Sequence, residues 1–438
     1  MGKLSLPFVA TAAVVAAPAH AQETPAKDEA YAVHVQSTFT LQSVLPFHAA
    51  YAGPNSLPSR GQTRETFDLT LYGGVRPWRG AELWANGEID QGFGIGNTLG
   101  AAGFPSGEAY KVGKAEPYAR LQRLLLRQTI GLGGGDEAVA PDQNQLGGRR
   151  AADRLVVTLG KISVVDIFDA NGFAHDPRGD FLNWALVDTA AFDYAAEAWG
   201  YTLGGAAELW KGPWTGRAGF FNLSKVPNGE VPGRDFSQYQ AIGEIEHRHS
   251  LGGHPGAVRL GAWRNRGRFS SFADALARAA ATGAPPDPGP TRRMRSRSGF
   301  YVNAEQEASR DLGLFLRAGV ADGAIEPYDF TDVDRGLSLG GSLKGRGWGR
   351  RGDRVGIGLA VNGISAVHRR YLAAGGLGIL VGDGRLDRYG TEQVAEAWYD
   401  LGLGKAHLTL DGQLLRHPAY NRDRGPAAVV ALRAHAGF

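Results

Sequence analysis

Glu82, Trp84, Asn86, Glu88 and Asp90 fall at every second position, and Asp176, Arg178, Asp180, Asn183 and Trp184 crowd into one later stretch. Carboxylates and amides accept hydrogen bonds, arginine donates them in a planar fork, and indole rings offer flat apolar faces. The set suits recognition of polar groups; catalysis asks for more. Glu88 and Asp90, taken as an acid–base pair, would lie two apart on one strand face, without the opposed geometry that glycoside hydrolysis needs. His247, His249 and His254 have the spacing of metal ligands but fall in or beside an expected turn, where a solvated cluster is the simpler reading. Gly92, Gly94 and Gly96 echo part of a nucleotide-binding loop, with no strand–helix–strand context around them. These patterns predict no enzyme, no cofactor and no metal site.

The elements that must position these residues read as strands. About sixteen stretches of roughly ten residues alternate in character. They lie near 33–41, 64–76, 80–90, 118–131, 153–161, 199–210, 214–223, 238–248, 256–266, 297–307, 311–321, 335–344, 354–362, 391–402, 405–416 and 427–438. In 64–76, Phe67, Leu69 and Leu71 alternate with Arg64, Thr66, Asp68 and Thr70. The stretch 118–131 is ambiguous: Arg123 and Arg127 share a face with Leu125, while Leu124 and Leu126 take the other. Odd-numbered strands are followed by long connections, such as 42–63, 91–117 and 162–198. Most even-numbered ones are followed by short ones, such as Pro77 to Arg79 and Leu403-Gly404; 132–152 and 345–353 are longer. An up-and-down transmembrane barrel, with short periplasmic turns and long extracellular loops, predicts this asymmetry.

Both ends of the chain agree. The last strand places Ala428, Val430, Leu432, Ala434, Ala436 and Phe438 on one face, with Arg433 and His435 on the other. That is a closing strand facing lipid, with its final aromatic at the interfacial girdle. At the start, Lys3, the apolar stretch Leu4 to Val15 and Ala19-His20-Ala21 form an export signal, so residues 1–21 are expected to be removed. Residues 22–32 read as a periplasmic lead-in and 33–438 as one barrel domain. Cysteine is absent from the 438 residues, so hydrogen bonding and burial alone must hold the fold. Glycine (64), phenylalanine (19), tyrosine (14) and tryptophan (9) are abundant, as a glycine- and aromatic-rich barrel requires. A mean hydropathy of −0.24 is too polar for a helical membrane protein. The net charge of +3, from 47 basic and 44 acidic residues, argues against a nucleic-acid partner; only Arg292, Arg293, Arg295 and Arg297 cluster.

Two runs carry more specific information: Gly80 to Gly113, built around Glu88-Ile-Asp-Gln-Gly92, and Gly160 to Ala185, built around Asp176-Pro-Arg-Gly-Asp180. Both resemble the carbohydrate-selective porins of the OprB type, as do Thr66 to Tyr72 and Gln413 to Pro426; Gly87 stands where that pattern has proline. The resemblance extends from about residue 34 to the C-terminus. It implies an all-β antiparallel barrel in the bacterial outer membrane that lets carbohydrates such as glucose diffuse passively and with moderate selectivity. The implied partners are a mono- or oligosaccharide and outer-membrane lipid; monomer and trimer both stay open.

A neutral sugar offers hydroxyls and apolar C–H faces, so its channel needs acceptors, arginine forks and aromatic surfaces, and binding weak enough for release. The expected channel and constriction residues are Arg64, Glu82, Trp84, Glu88, Asp90, Arg123, Arg127, Asp176, Arg178, Asp180, Asn183 and Trp184. The connection 162–198 is expected to fold into the barrel, by analogy with porins. Arg217, Arg248 and Arg317, balanced by Glu244, Glu246, Glu305 and Glu307, are further wall candidates. The competing readings are that Asp176, Arg178 and Asp180 only pair with one another, and that Trp84 and Trp184 belong to the interfacial belt. Two alternative functions remain: an anion or general diffusion porin, and a non-transport outer-membrane barrel.

Overall fold

Sixteen antiparallel strands, each paired with its sequence neighbours, close into a barrel through β1 and β16. The computed structural model describes residues 28–109 and 113–438; the export signal 1–21 and most of the lead-in lie outside the described residues. The strands are β1 (Tyr31–Val44), β2 (Gln62–Val75), β3 (Ala81–Gly92), β4 (Lys114–Val139), β5 (Gly148–Ile162), β6 (Thr202–Lys211), β7 (Trp214–Asn222) and β8 (Tyr239–Leu251). They continue as β9 (His254–Phe269), β10 (Arg293–Glu307), β11 (Leu312–Ala321), β12 (Arg335–Lys344), β13 (Arg354–Gly363), β14 (Glu392–Leu403), β15 (Ala406–Arg416) and β16 (Ala427–Gly437). All sixteen sequence-predicted strands are present.

Several boundaries differ by a few residues, and two of the differences have a clear cause. β1 starts at Tyr31, inside the stretch read as lead-in, because Tyr31 and Ala32 pair with Val75 and Gly74. The long connection expected at 132–152 shrinks to residues 140–147, because Gly131, Gly133 and Asp136 to Val139 still pair with β5 across register shifts. Phe438 closes the seam, exchanging backbone hydrogen bonds with Val35.

The alternation turns the usual arrangement of a water-soluble protein inside out. Leu71, Leu159, Ile245, Leu260, Ile357 and Leu410 are exposed on the outer face, whereas Arg217, Arg297, Arg317 and Arg433 are buried inside. Such an apolar exterior is stable only against lipid. A closed barrel also leaves no unpaired strand edge at that depth.

The connection 163–201, between β5 and β6, folds back into the lumen and contains a short helix, α1 (Trp184–Val187). It lies so close to the facing wall that the wall there is glycine. A Cβ at Gly313 would sit 2.0 Å from the Phe173 ring, and one at Gly358 would sit 2.9 Å from Phe181. Phe181 packs against Phe315 and Trp398 at centroid distances of 5.4 and 5.7 Å, and Phe192 against Tyr301 at 5.1 Å. Two further helices, α2 (Phe272–Thr282) and α3 (Ala366–Ala373), meet over the long-loop end through Phe272, His368 and Tyr371.

Candidate functional site

The inward loop is held to one half of the barrel by side chains that the sequence presents as pore wall. Asp169 is the main anchor. Its carboxylate accepts from the Thr189 N–H (2.6 Å) and hydroxyl (2.9 Å), from Asn303 Nδ2 (2.6 Å) and from Arg317 Nε (3.3 Å). Arg317 also donates to the Leu186 carbonyl at 3.0 Å. Glu244 accepts from the Asp169 N–H (2.9 Å), the Tyr301 hydroxyl (2.6 Å) and Arg217 (2.8 Å); Glu246 binds Arg217, Arg248 and Arg259. Glu305 takes the Gly172 N–H, and Glu307 pairs with His254 near the short turns. The inward face predicted for these residues is correct. Glu244, Glu305 and Arg317 face the loop, while Arg217, Glu246, Arg248 and Glu307 pair with wall and turn residues, so none of them lines the open space.

That open space, a cavity of about 620 Å³, lies on the other side of the loop, against β3, β4 and β5. Of the predicted residues, Glu88, Arg123, Arg127, Asp176, Arg178 and Trp184 border it. Arg178 projects from the loop to within 3.4 Å of Glu108 and 3.9 Å of each of Asp68, Glu88 and Asp176. Asp90 joins from behind by holding Arg120 Nε at 2.6 Å, with Glu88 accepting from Arg120 Nη2 at 3.0 Å. Glu82 stands behind Arg127 at 3.4 Å. Arg123 is clamped by both oxygens of Asp166, at 2.6 and 2.8 Å.

The remaining predicted residues are placed elsewhere. Asp180 pairs with Arg354, and Asn183 caps α1 at Ala185 while donating to Gly103 O and Gln413. Both therefore fix the loop to the far wall. Trp84 is fully buried, stacked on His34 with its N–H on Glu82, because it packs over Gly74 instead of turning to the lumen centre. Arg64 is exposed at the long-loop end of β2, bonded only to the neighbouring Thr63 carbonyl. His247 and His249 face outward and His254 binds Glu307, so the three rings do not converge. Among the described residues no cluster of His, Asp or Glu could hold a metal ion.

Sequence reasoning missed the aromatic side of the cavity and its central arginine. Arg120 lies over Trp199 and Tyr201 (5.4 and 5.1 Å to the ring centroids), and Arg123 lies over Tyr201 at 4.9 Å. Trp199 and Tyr201 open the stretch 199–210 that alternation marks as a strand, but the strand starts only at Thr202, so both rings belong to the end of the inward loop. Asp68, Tyr72 and Glu108 lie within the family-like segments 66–72 and 80–113, which are the signal that points to them.

Charge at the site is tuned by burial. Burial pushes the Glu108 carboxyl well up, against the pull of Arg178. Asp176 and Asp166 remain partly exposed to the lumen, and Arg178 and Arg123 outweigh desolvation and hold them below the usual carboxylate range. Asp188, beside His175 and Tyr194, is pushed up to about 6 by burial. One oxygen each of Asp68, Glu88 and Glu108, with Arg120 Nη1 and Arg178 Nε, is buried without a hydrogen-bond partner in the protein. Donors and acceptors are thus packed together at the cavity wall, next to aromatic rings.

The barrel is similar to that of Pseudomonas putida OprB in its high-pH structure. The TM-score is 0.69 and the identity 17%, over 93% of this chain and 94% of that one. It is also similar to the outer membrane channel DcaP of Acinetobacter baumannii, at TM-score 0.51 and 9% identity, over 95% of this chain and 99% of that one. At these identities the likeness is one of fold. No curated protein sequence matches the chain. A family model of the carbohydrate-selective porins matches residues 55–438, nearly the whole barrel. The chain belongs to the OprB family of carbohydrate-selective porins, channel proteins of the bacterial outer membrane and not enzymes.

Proposed function

We propose that this porin passes neutral sugars of glucose size by passive diffusion, with moderate selectivity. The reading rests on one arrangement: Arg178 and Arg120, each beside carboxylates, border the same cavity as Trp199 and Tyr201, over which Arg120 lies. Sugar hydroxyls replace water on these partners, and the C–H faces of the ring slide along the aromatic side chains. Pairing each arginine with a carboxylate leaves no uninterrupted basic path, which favours a neutral solute over an anion. Glu88, Asp90, Arg120, Arg123, Asp176 and Arg178 act as the constriction, with Trp184, Trp199 and Tyr201 as its apolar side.

Single-channel conductance in planar bilayers tests this. Glucose at millimolar concentration is expected to reduce the current, and chloride is expected to have no strong advantage over potassium. A folded barrel whose current ignores glucose and related sugars overturns the selectivity; a strongly anion-selective reversal potential supports the anion-porin alternative instead.

A further inference from the structure

The outer face of the barrel carries a feature that sugar passage does not use. Along β9 the outward side chains run Val258, Leu260, Ala262, Arg264, Arg266 and Arg268 from the short-turn end toward the long loops. Arg264 and Arg268 are exposed and Arg266 is half-buried. None of the three guanidinium groups has a hydrogen-bond or ion-pair partner among the described residues. Arg335, outward at the start of β12, is exposed and unpaired in the same way. The outward positions beside the three on β8 and β10 are Tyr239, Ala241, Met294, Ser296 and Ser298, and no outward position on β8 to β12 holds a carboxylate.

The contrast with the neighbouring basic run is informative. Arg292 pairs with Glu326 at 2.8 Å, Arg297 with Asp193 at 2.8 Å, and Arg295 with Asp274. Those charges are neutralised within the protein; the β9 stripe is not. Directly toward the membrane centre lies an apolar groove of about 730 Å³, walled by Leu260, Phe300, Val320, Leu337 and Val361 and reaching Arg335 at its edge.

Arginine on the lipid face costs ~2–4 kcal/mol at the bilayer midplane and ~0–1 near the interface, so three in succession belong at headgroup level. Their planar forks match phosphate oxygens bidentately. From Arg264 to Arg268 the strand rises roughly 13 Å, wide enough for a headgroup carrying two phosphates. We infer that this face is a docking site for a phosphorylated glycolipid of the outer leaflet. Its phosphates lie on Arg264, Arg266 and Arg268, and an acyl chain lies in the groove edged by Arg335. The long-loop end of the barrel is the extracellular end, so the stripe meets the leaflet where such lipids reside.

The test uses the full barrel in detergent, titrated with diphosphorylated lipid A and followed by native mass spectrometry and thermal unfolding. Wild type is expected to retain one lipid. The triple variant R264Q/R266Q/R268Q is expected to bind about a hundred-fold more weakly, roughly five-fold per arginine. Arg79→Gln, in a periplasmic turn, serves as the control and should bind like wild type. Dephosphorylated lipid A should bind wild type as weakly as the phosphorylated form binds the triple variant. Equal binding of lipid A by wild type and triple variant overturns the proposal, as does equal binding of phosphatidylglycerol and lipid A by wild type. Glucose block of the current should be the same in the triple variant, which separates this result from the sugar reading.

Discussion

Arg178 is the residue whose removal makes the sharpest electrostatic prediction. Its guanidinium lies 3.4–3.9 Å from Glu108, Asp68, Glu88 and Asp176. Arg178→Gln keeps most of the side-chain volume and deletes one positive charge. A monovalent ion passing ~4 Å from that position feels ~1 kcal/mol from a unit charge in bulk water. A cation loses that repulsion and an anion loses the same attraction, so their ratio moves by ~2 kcal/mol, up to about 30-fold toward potassium. Salt in the lumen screens part of this, so reversal potentials should be measured near 0.1 M, where the Debye length is about 10 Å. A rise in the potassium-to-chloride permeability ratio of roughly five-fold or more is expected, together with weaker glucose block. pH provides a second arm. Burial already pushes the Glu108 carboxyl up, and Arg178 draws it down. Without Arg178 it rises further, so the group is neutral in acid and charged only at higher pH; the variant's cation preference should therefore grow with pH. Arg178→Lys should keep near-wild-type ion selectivity. A folded Arg178→Gln barrel whose permeability ratio stays within about two-fold of wild type at every pH would refute the placement of Arg178 in the conducting path.

Three further perturbations probe the loop and the aromatic side. Gly313→Val places a branched side chain where even a Cβ would lie 2.0 Å from the Phe173 ring; it should push the inward loop off the wall and alter conductance, and an unchanged current trace would contradict the tight contact. Tyr201→Ala removes the ring beneath Arg120 and Arg123; the glucose concentration for half-block should rise about three- to ten-fold, from ~0.5–1.5 kcal/mol of lost aromatic contact. Asp188 has a folded carboxyl pushed up to about 6, above its unfolded value near 3.9. Its protonated form is the stabilised one, so its contribution is present below that unfolded value and fades as pH rises through about 6, by at most ~3 kcal/mol. The fall in unfolding midpoint between pH 4.5 and 7.5 should be smaller in Asp188→Asn, and an identical fall would count against this role.

The barrel was legible because period-2 alternation is a local property, and sixteen two-faced stretches carry it plainly. The ambiguous stretch 118–131 shows where local reading stops. Asn86 pairs with Arg123 but Gly87 pairs with Leu121, so Gln122 is the extra residue of a bulge. A bulge reverses which parity points inward. Tyr118 and Arg120 therefore face the lumen above it, and Arg123, Leu125 and Arg127 below it. No alternation rule applied to the whole strand could place both sets, which is why Arg120 was missed. Gly87, where the family pattern has proline, sits at this shift, and no atom lies within 4 Å of where its Cβ would be. Space at that position does not demand glycine. The destination of the inward loop was less legible still, since Asp169 meets Arg317 across 148 residues of sequence.

That loop explains why the charges of the lumen wall do not translate directly into pore selectivity. Irregular backbone at membrane depth is tolerated only where protein or lumen water satisfies its polar groups. Here wall and loop carboxylates accept many of the orphan N–H groups. Glu396 takes those of Leu182 and Asn183, Glu392 those of Ala102, Gly103 and Ala419, and Asp193 those of Tyr328 and Asp329. A buried carboxylate that stays charged also needs a cation nearby. Arg297 faces Asp193 and Asp334, and Arg317 faces Asp169. The inward arginines of β10 and β11 thus follow from folding a loop into the barrel, before any solute is considered. Only the charges left on the opposite side, around Arg178 and Arg120, remain to meet what passes. The solute path is therefore set by which half of the barrel the loop leaves empty, more than by how many charges point inward.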